Sequence, residues 1–346
     1  MTATATMQAA VIRRHGGPDV TEVEEVARPA AEPGEAVVRV AACGLNHLDI
    51  FVRRGMPGLP IPLPHVSGGD VAGWVEEVGE GGSTELAGTA VLVDPAVGDG
   101  AIGETLPGGL AEYVVVPVEN LIPLPDPDRL VAFAALPIAY GTAYRMIVTR
   151  ARLAAGETIA ILGASGGVGV ACVQFAKRIG ARVLACTSSG EKAERLRRLG
   201  ADEAINMIEE DFSAAVWKLT GKQGADVVVD YSGKETWPGS IRCTTHGGRV
   251  VTCGATTGFD APTDLRYVWR RELNILGSDG WTRSELLDVV GLVASGEVDP
   301  IVHGVYPLSR VREAIAQLEE RRAFGKVVVV PDAVYGQVTE KEGQHE

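Results

Sequence analysis

Three glycines, Gly163, Gly166 and Gly169, break the apolar run Ile159-Ala160-Ile161-Leu162, and an amphipathic pattern then resumes to Ile179. The pattern predicts a strand, a tight turn and a helix. Glycine lets a backbone approach an anionic group closely, and the unsatisfied N–H groups and positive dipole end of a helix start stabilise a phosphate. The spacing is G-x-x-G-x-x-G rather than G-x-G-x-x-G, so the turn alone is weakly diagnostic. Its context strengthens it: strand 158–162, helix 167–179 and strand 182–187 make a βαβ unit, the setting of a dinucleotide site.

In such a unit a carboxylate after the second strand accepts the ribose hydroxyls of NAD. That position here is Thr187-Ser188-Ser189, with no acid before Glu191, and Lys192 follows. Small hydroxyls leave room for a ribose phosphate that Lys192 would neutralise, so NADPH is the expected cofactor. The competing reading makes Ser188 and Ser189 helix caps and Lys192 a solvated surface cation.

A second group of reactive types lies earlier in the chain: Cys43, Asn46, His47 and Asp49, then His65 and Asp70. Zinc takes about four N, S or O ligands in tetrahedral array. Convergence of Cys43, His47 and His65, with Asp49 and Asp70 nearby, would be such a set. The plainer reading makes Cys43 a small buried hydrophobe and His65 a hydrogen-bonding loop histidine. An imidazole at His47 is also a candidate proton donor near neutral pH.

The elements that position these groups follow from patterning. Strands are predicted over 7–13, 20–26 and 35–42, separated by His15-Gly16-Gly17-Pro18-Asp19 and a Pro/Gly/Glu linker, so an all-β module comes first. From the glycine turn onward, β and α patterns alternate as in a doubly wound parallel sheet. The tail then reads as helix 283–295, strand 302–306, helix 309–322 and strand 326–330, with the polar stretch 331–346 expected to fray.

The 346 residues exceed one ordinary core, so two domains are expected. A net charge of -13 argues against nucleic acid or an anionic membrane surface as partner. The five cysteines are dispersed without a C-x-x-C pair, as in a reducing cytoplasm. Met1 to Thr6 carry no apolar leader, and no apolar run approaches membrane-spanning length.

Several segments together resemble the medium-chain dehydrogenase/reductase superfamily. They are Cys43-Gly44-Leu45-Asn46-His47-Leu48-Asp49, Gly68-Gly69-Asp70-Val71-Ala72-Gly73, Gly108-Gly109-Leu110-Ala111-Glu112-Tyr113, the glycine turn, 226–233 and 247–254. The resemblance implies an α/β protein with a GroES-like β domain, 1–135 with 280–346, and a Rossmann NADP(H)-binding domain, 136–279. In the zinc-dependent members three ligands fall where this chain has Asn46, Gly69 and Ala134. The cysteine-rich lobe is replaced by 93–106, which has no cysteine.

The Gly-Leu-Asn that remains resembles the zinc-independent quinone oxidoreductase and enoyl reductase branch. This implies NADPH-dependent hydride transfer to an enone, an enoyl thioester or a quinone, with no metal ligands. Asn46 and Thr142 would approach the nicotinamide, and Gly163, Ser165, Gly166, Gly167 and Val168 the pyrophosphate. Asn206, Ser232, Gly254 and Ser278 would line the nucleotide cleft, with Lys326 a basic residue near the cofactor. His47 is the residue that would donate the proton, the other reading being a structural or pocket-shaping histidine, while Asp49 anchors its loop. Arg53, Arg54, Arg270 and Arg271 are candidates to meet a carboxylate or a carrier phosphate, the commoner reading being solvated surface arginines. The resemblance further implies a homodimer through an edge strand around Leu273 to Leu276. Two alternatives stand beside it: an alcohol or carbonyl dehydrogenase with an atypical metal site, and a crystallin-like nucleotide-binding protein with little catalysis.

Overall fold

The computed structural model describes residues 5–342. The absence of a leader read from Met1 to Thr6 therefore lies largely outside the described residues. Two compact units emerge, one running to Ile138 and resuming at Leu286, the other spanning Ala139–Glu285.

The first unit is built on strand Glu35–Leu45, whose Val37-Val38, Val40 to Cys43 and Leu45 are buried. An apolar run of this length is stable as a strand only when both faces are covered. It pairs antiparallel with Asp70–Val78, with Tyr113–Pro117 and, across almost the whole chain, with Lys326–Val330. Val302–Pro307, Ala90–Val93 and Leu121–Pro123 complete this sheet, and a smaller one joins Thr21–Ala27, Thr6–Ile12 and His65–Val66. Valines 38, 40, 71, 91, 327 and 329 form the heart of the core.

Strand register decides what meets in this unit. Leu45 faces Val327 and Gly44 faces both Val328 and Asp70, so the start of the last strand and the start of Asp70–Val78 converge beside Asn46. Gly44 permits the approach: a Cβ there would lie 2.2 Å from the Ala134 carbonyl oxygen and 3.1 Å from the Asp70 Cβ.

The tail differs from expectation. Residues 331–346 were expected to fray, yet helix Tyr335–Glu342 forms. It is held because Val338 is buried, the Tyr335 hydroxyl donates to the Val305 carbonyl at 3.1 Å, and the Ser309 N–H donates to Asp332 at 2.9 Å. Residues 343–346 lie outside the described part.

The second unit is a six-stranded parallel sheet in the order Glu203–Asn206, Arg182–Thr187, Thr158–Ile161, Ala225–Val229, Thr244–Thr252, Asn274–Gly277. Ile159 to Leu162 and Val227 to Val229 are sealed, as central strands covered by helices on both faces must be. The winding direction reverses between Thr158–Ile161 and Ala225–Val229, and ligands of such sheets bind outside the strand ends at that point. The mixed α/β class expected from the pattern is thus what the chain adopts. Among the described residues no helix is long and apolar enough to cross a membrane.

Candidate functional site

The glycine turn sits at the reversal point. Gly163 adopts φ +64°, a conformation that side chains disfavour, and its carbonyl accepts the Gly166 N–H at 3.0 Å. Helix Gly167–Ile179 begins behind N-cap Gly166 with no side-chain cap, leaving its first N–H groups open. Gly169 brings helix and turn together, since a Cβ there would lie 2.5 Å from the Ala164 Cα. An uncapped helix start in a glycine cradle fits a pyrophosphate.

After the second strand, Thr187 Oγ1 donates to Ser165 Oγ at 3.3 Å, joining that strand end to the turn. Ser189 caps helix Gly190–Arg198 by accepting the Lys192 N–H at 3.4 Å, while Ser188 stays exposed. Partial burial lowers the Lys192 ammonium from its ordinary pKa, and the neighbouring Arg195 lowers it further. Sequence reasoning missed Arg195, whose signal was the i, i+3 spacing that puts two cations on one helix face.

Asn206 ends its strand and Ser232, Gly254 and Ser278 follow the carboxyl ends of theirs, at the same edge of the sheet as Gly163 and Ser165. Ser278 Oγ is buried without a partner in the chain, a hydroxyl that a ligand would satisfy. Thr142 is buried at the start of the short helix Thr142–Tyr144. Asn46, His47, Asp49 and Lys326 belong to the first unit.

In the first unit, register assembles a closed polar network. Lys326 Nζ donates to Asn46 Oδ1 at 2.6 Å and to Asp70 Oδ2 at 2.8 Å. Asn46 Nδ2 donates to Asp70 Oδ2 at 2.8 Å and to the Gly44 carbonyl at 3.3 Å, and Asp70 Oδ1 accepts the Ile138 N–H at 2.8 Å. Lys326 is 2% exposed and Asp70 0%. Burial of a charge is tolerable only with such full pairing. The Asn46 amide is therefore fixed in one orientation with its donors used internally.

Asn46 also opens helix His47–Arg54, its N–H donating to Asp49 Oδ2 at 2.7 Å, while Asp49 Oδ1 accepts the Gly68 N–H at 2.9 Å. Burial raises Asp49 to about 6, opposed by those two N–H groups and by Lys326. His47 keeps an exposed surface, yet desolvation and the cations Arg321, Lys326 and Arg54 hold its imidazole below the ordinary value, so it is neutral at pH 7.

The zinc chemistry of the resembled dehydrogenases does not fit these residues. An ammonium already neutralises Asp70 beside Asn46, and among the described residues no three or more His, Cys, Asp or Glu side chains converge as a ligand set. The substitute set at Cys43, His47 and His65 does not assemble. Burial pushes the Cys43 thiol far above its usual range, away from the thiolate that a metal needs, and His65 Nε2 lies 3.3 Å from the Gly103 carbonyl.

Of the arginines singled out for a carrier phosphate, Arg53 and Arg271 are engaged within the chain, while Arg54 and Arg270 are exposed. Arg53, 1% exposed, bonds Glu319 through both terminal nitrogens at 3.0 and 2.5 Å, and Arg54 joins the same carboxylate at 2.8 Å. Arg271 is stacked against Trp217 and Tyr267 and donates to the Arg242 and Thr244 carbonyls. Arg270 lies 5.8 Å from the Trp269 ring centre.

Comparison with known proteins bears on both units. Residues 32–126 match the alcohol dehydrogenase GroES-like domain and residues 167–295 the zinc-binding dehydrogenase family. A quinone oxidoreductase of Rattus norvegicus is 30% identical over 315 residues, covering 89% of this chain and 92% of the relative. Among solved structures, an NAD-dependent alcohol dehydrogenase matches with TM-score 0.89 at 38% identity, over 94% of this chain and 99% of that one. Crotonyl-CoA carboxylase/reductase AntE in complex with NADP matches with TM-score 0.85 at 26% identity, over 95% of each chain. A parallel sheet with a glycine turn at its reversal point, a GroES-like β unit and relatives along nearly the full length converge on one family: the chain belongs to the medium-chain dehydrogenase/reductase superfamily of nicotinamide-dependent oxidoreductases.

Proposed function

We propose that this chain is a zinc-independent, NADPH-dependent reductase of an activated C=C bond, in an enone or enoyl thioester, or of a quinone. The observation that carries this reading is the Lys326–Asp70–Asn46 network, which fills the neighbourhood of the family's metal ligands with hydrogen-bonded side chains. Oxidation of a simple alcohol needs its oxygen polarised, commonly by a Lewis acid. Reduction of an enone, enoyl thioester or quinone instead develops charge on an oxygen that hydrogen bonds stabilise.

NADPH bound at the turn would supply a hydride to the β-carbon or the quinone. Gly163, Ser165, Gly166, Gly167 and Val168 hold its pyrophosphate. Lys192, with Ser188 and Ser189 beside it and Arg195 one turn on, holds the ribose phosphate. Asn206, Ser232, Gly254 and Ser278 line the nucleotide, with Thr142 toward the nicotinamide. His47 stands as the donor that completes the reduction, through the imidazolium form that its neighbours disfavour. Asn46, Asp49 and Lys326 position the helix that carries it. Edge strand Asn274–Gly277, with Ile275 exposed, is the surface for a homodimer, and the five unpaired cysteines fit the cytoplasm.

The relative described as an NAD-dependent alcohol dehydrogenase favours a second reading, an alcohol or carbonyl dehydrogenase using NAD. The deciding experiment follows NADPH and NADH oxidation with quinones, enones and enoyl thioesters, alongside metal analysis. NADPH turnover that survives chelation is expected. One stoichiometric zinc lost together with activity, or alcohol oxidation with NAD, would replace this reading by the second. Nucleotide binding without turnover would favour a crystallin-like role.

A further inference from the structure

Tyr231, which the pattern of site residues left aside, touches the phosphate turn. It follows strand Ala225–Val229, the neighbour of Thr158–Ile161 across the reversal point. The Tyr231 hydroxyl donates to the Gly163 carbonyl at 2.9 Å. That oxygen also accepts the Gly166 N–H at 3.0 Å, so both its lone pairs are engaged. The ring covers Gly163 closely: a Cβ there would lie 3.2 Å from Tyr231 ring and hydroxyl atoms.

The tyrosine is itself held. The adjacent Asp230 carboxylate, sealed from solvent, accepts the Ser232 and Gly233 N–H groups at 3.0 and 3.1 Å, the Thr236 hydroxyl at 2.8 Å and the Ser240 hydroxyl at 2.7 Å. These bonds tie the loop after the strand to the helix Trp237–Cys243 and leave residue 231 little freedom. Burial raises the phenol well above its usual pKa, so it remains a donor throughout the working pH range.

We infer that Tyr231 is a positioning residue for the cofactor's pyrophosphate: its hydroxyl pins the Gly163 carbonyl, holding the turn in the form whose open N–H groups face the phosphates. The inference rests on the reading that a nicotinamide dinucleotide binds at this turn. Because the left-handed conformation of Gly163 is available to glycine at little cost, the turn has alternatives that a single well-placed bond excludes. The hydroxyl therefore acts on the pyrophosphate and leaves the adenosine end and the chemistry untouched.

The test uses the full chain with Tyr231→Phe, which keeps the ring and removes only the hydroxyl. NADPH, NADH and adenosine 2′-monophosphate, which lacks the pyrophosphate, are titrated by calorimetry, and KM and kcat are measured. One neutral hydrogen bond corresponds to a change of about 3- to 10-fold. Dissociation constant and KM for the dinucleotide should rise by that factor, with kcat at saturation and the monophosphate affinity within 2-fold of the original. Unchanged dinucleotide affinity, or equal weakening of both ligands, would overturn the positioning role. If the unaltered chain bound neither NADPH nor NADH, the dinucleotide reading would fall, and this inference with it. Tyr231→Leu separates the ring from the hydroxyl: thermal stability should fall in Tyr231→Leu and hold in Tyr231→Phe, and equal losses would mark Tyr231 as a packing residue only.

Discussion

Lys326 and Asp70, 256 residues apart in the chain, meet at 2.8 Å where neither reaches solvent. The ammonium balances a carboxylate that also gathers the Asn46 amide and the Ile138 N–H, so the network is satisfied only while all members are present. Removing one charge strands the other.

Lys326→Met should accordingly destabilise the fold by about 3–5 kcal/mol, the cost of leaving a buried charge without its partner. Adding Asp70→Asn should recover part of the loss. Urea unfolding of the single and double variants measures both, and a loss under about 1 kcal/mol in the single variant would mean that water reaches the pair.

Asp49 gives stability a pH signature. Its folded pKa of about 6 stands above the ordinary aspartate value of 3.8, so the native state holds the extra proton between those values. The native state is thereby favoured below pH 3.8, and the contribution is lost as pH rises through 6. The amplitude is of order 3 kcal/mol at 1.36 kcal/mol per pKa unit. In Asp49→Asn the fall in stability across this window should shrink relative to the unaltered chain, as pH-dependent unfolding will show. An identical slope in both would place the titration elsewhere.

His47 is held neutral at pH 7 by burial and by Arg321, Lys326 and Arg54. If its imidazolium supplies the proton, kcat should climb as pH falls below the usual histidine value. His47→Ala should flatten that limb and lower kcat by about 100-fold or more. A profile and kcat unaffected by the substitution would assign the proton to water.

Lys192 and Arg195 should discriminate between nucleotides. A charge-assisted bond to a phosphate contributes about 1.5–3 kcal/mol. Lys192→Ala should therefore raise the KM for NADPH by about 10-fold or more and leave NADH little changed, with Arg195→Ala acting in the same direction. Equal effects on both nucleotides would assign the pair a structural role.

Gly169→Ala tests the helix contact at the turn. With 2.5 Å available to the new Cβ, the helix must shift from Ala164. Overpacking of this kind costs about 1–3 kcal/mol, and nucleotide affinity should fall with stability. Thermal unfolding alongside calorimetric titration reads both, and an unperturbed variant would show that the helix start yields freely.

Much of the second unit was legible because its determinants are local. Helix Gly167–Ile179 and strand Arg182–Thr187 follow from apolar periodicity and glycine punctuation over a few residues. The fraying expected of the tail fails because it is tied to distant partners, Asp332 by Ser309 and Tyr335 of helix Tyr335–Glu342 by Val305, rather than governed by its own polar composition. Arg53 was misread for the same reason: Glu319, which neutralises it, lies 266 residues away.

By itself the sequence determined the class of the protein: a parallel α/β sheet with a glycine turn at Gly163 to Gly169, and reactive residues at Asn46 to Asp49 without the expected metal ligands. Only the tertiary structure decided the state of those residues. Strand register, a long-range property, set Lys326 and Asp70 on either side of Asn46; burial there determined that the amide is fully engaged and that Asp49 titrates near 6, and desolvation with nearby cations lowers the His47 imidazole. Backbone periodicity is encoded within one or two turns of chain, whereas desolvation and charge pairing exist only once distant segments have excluded water from between them.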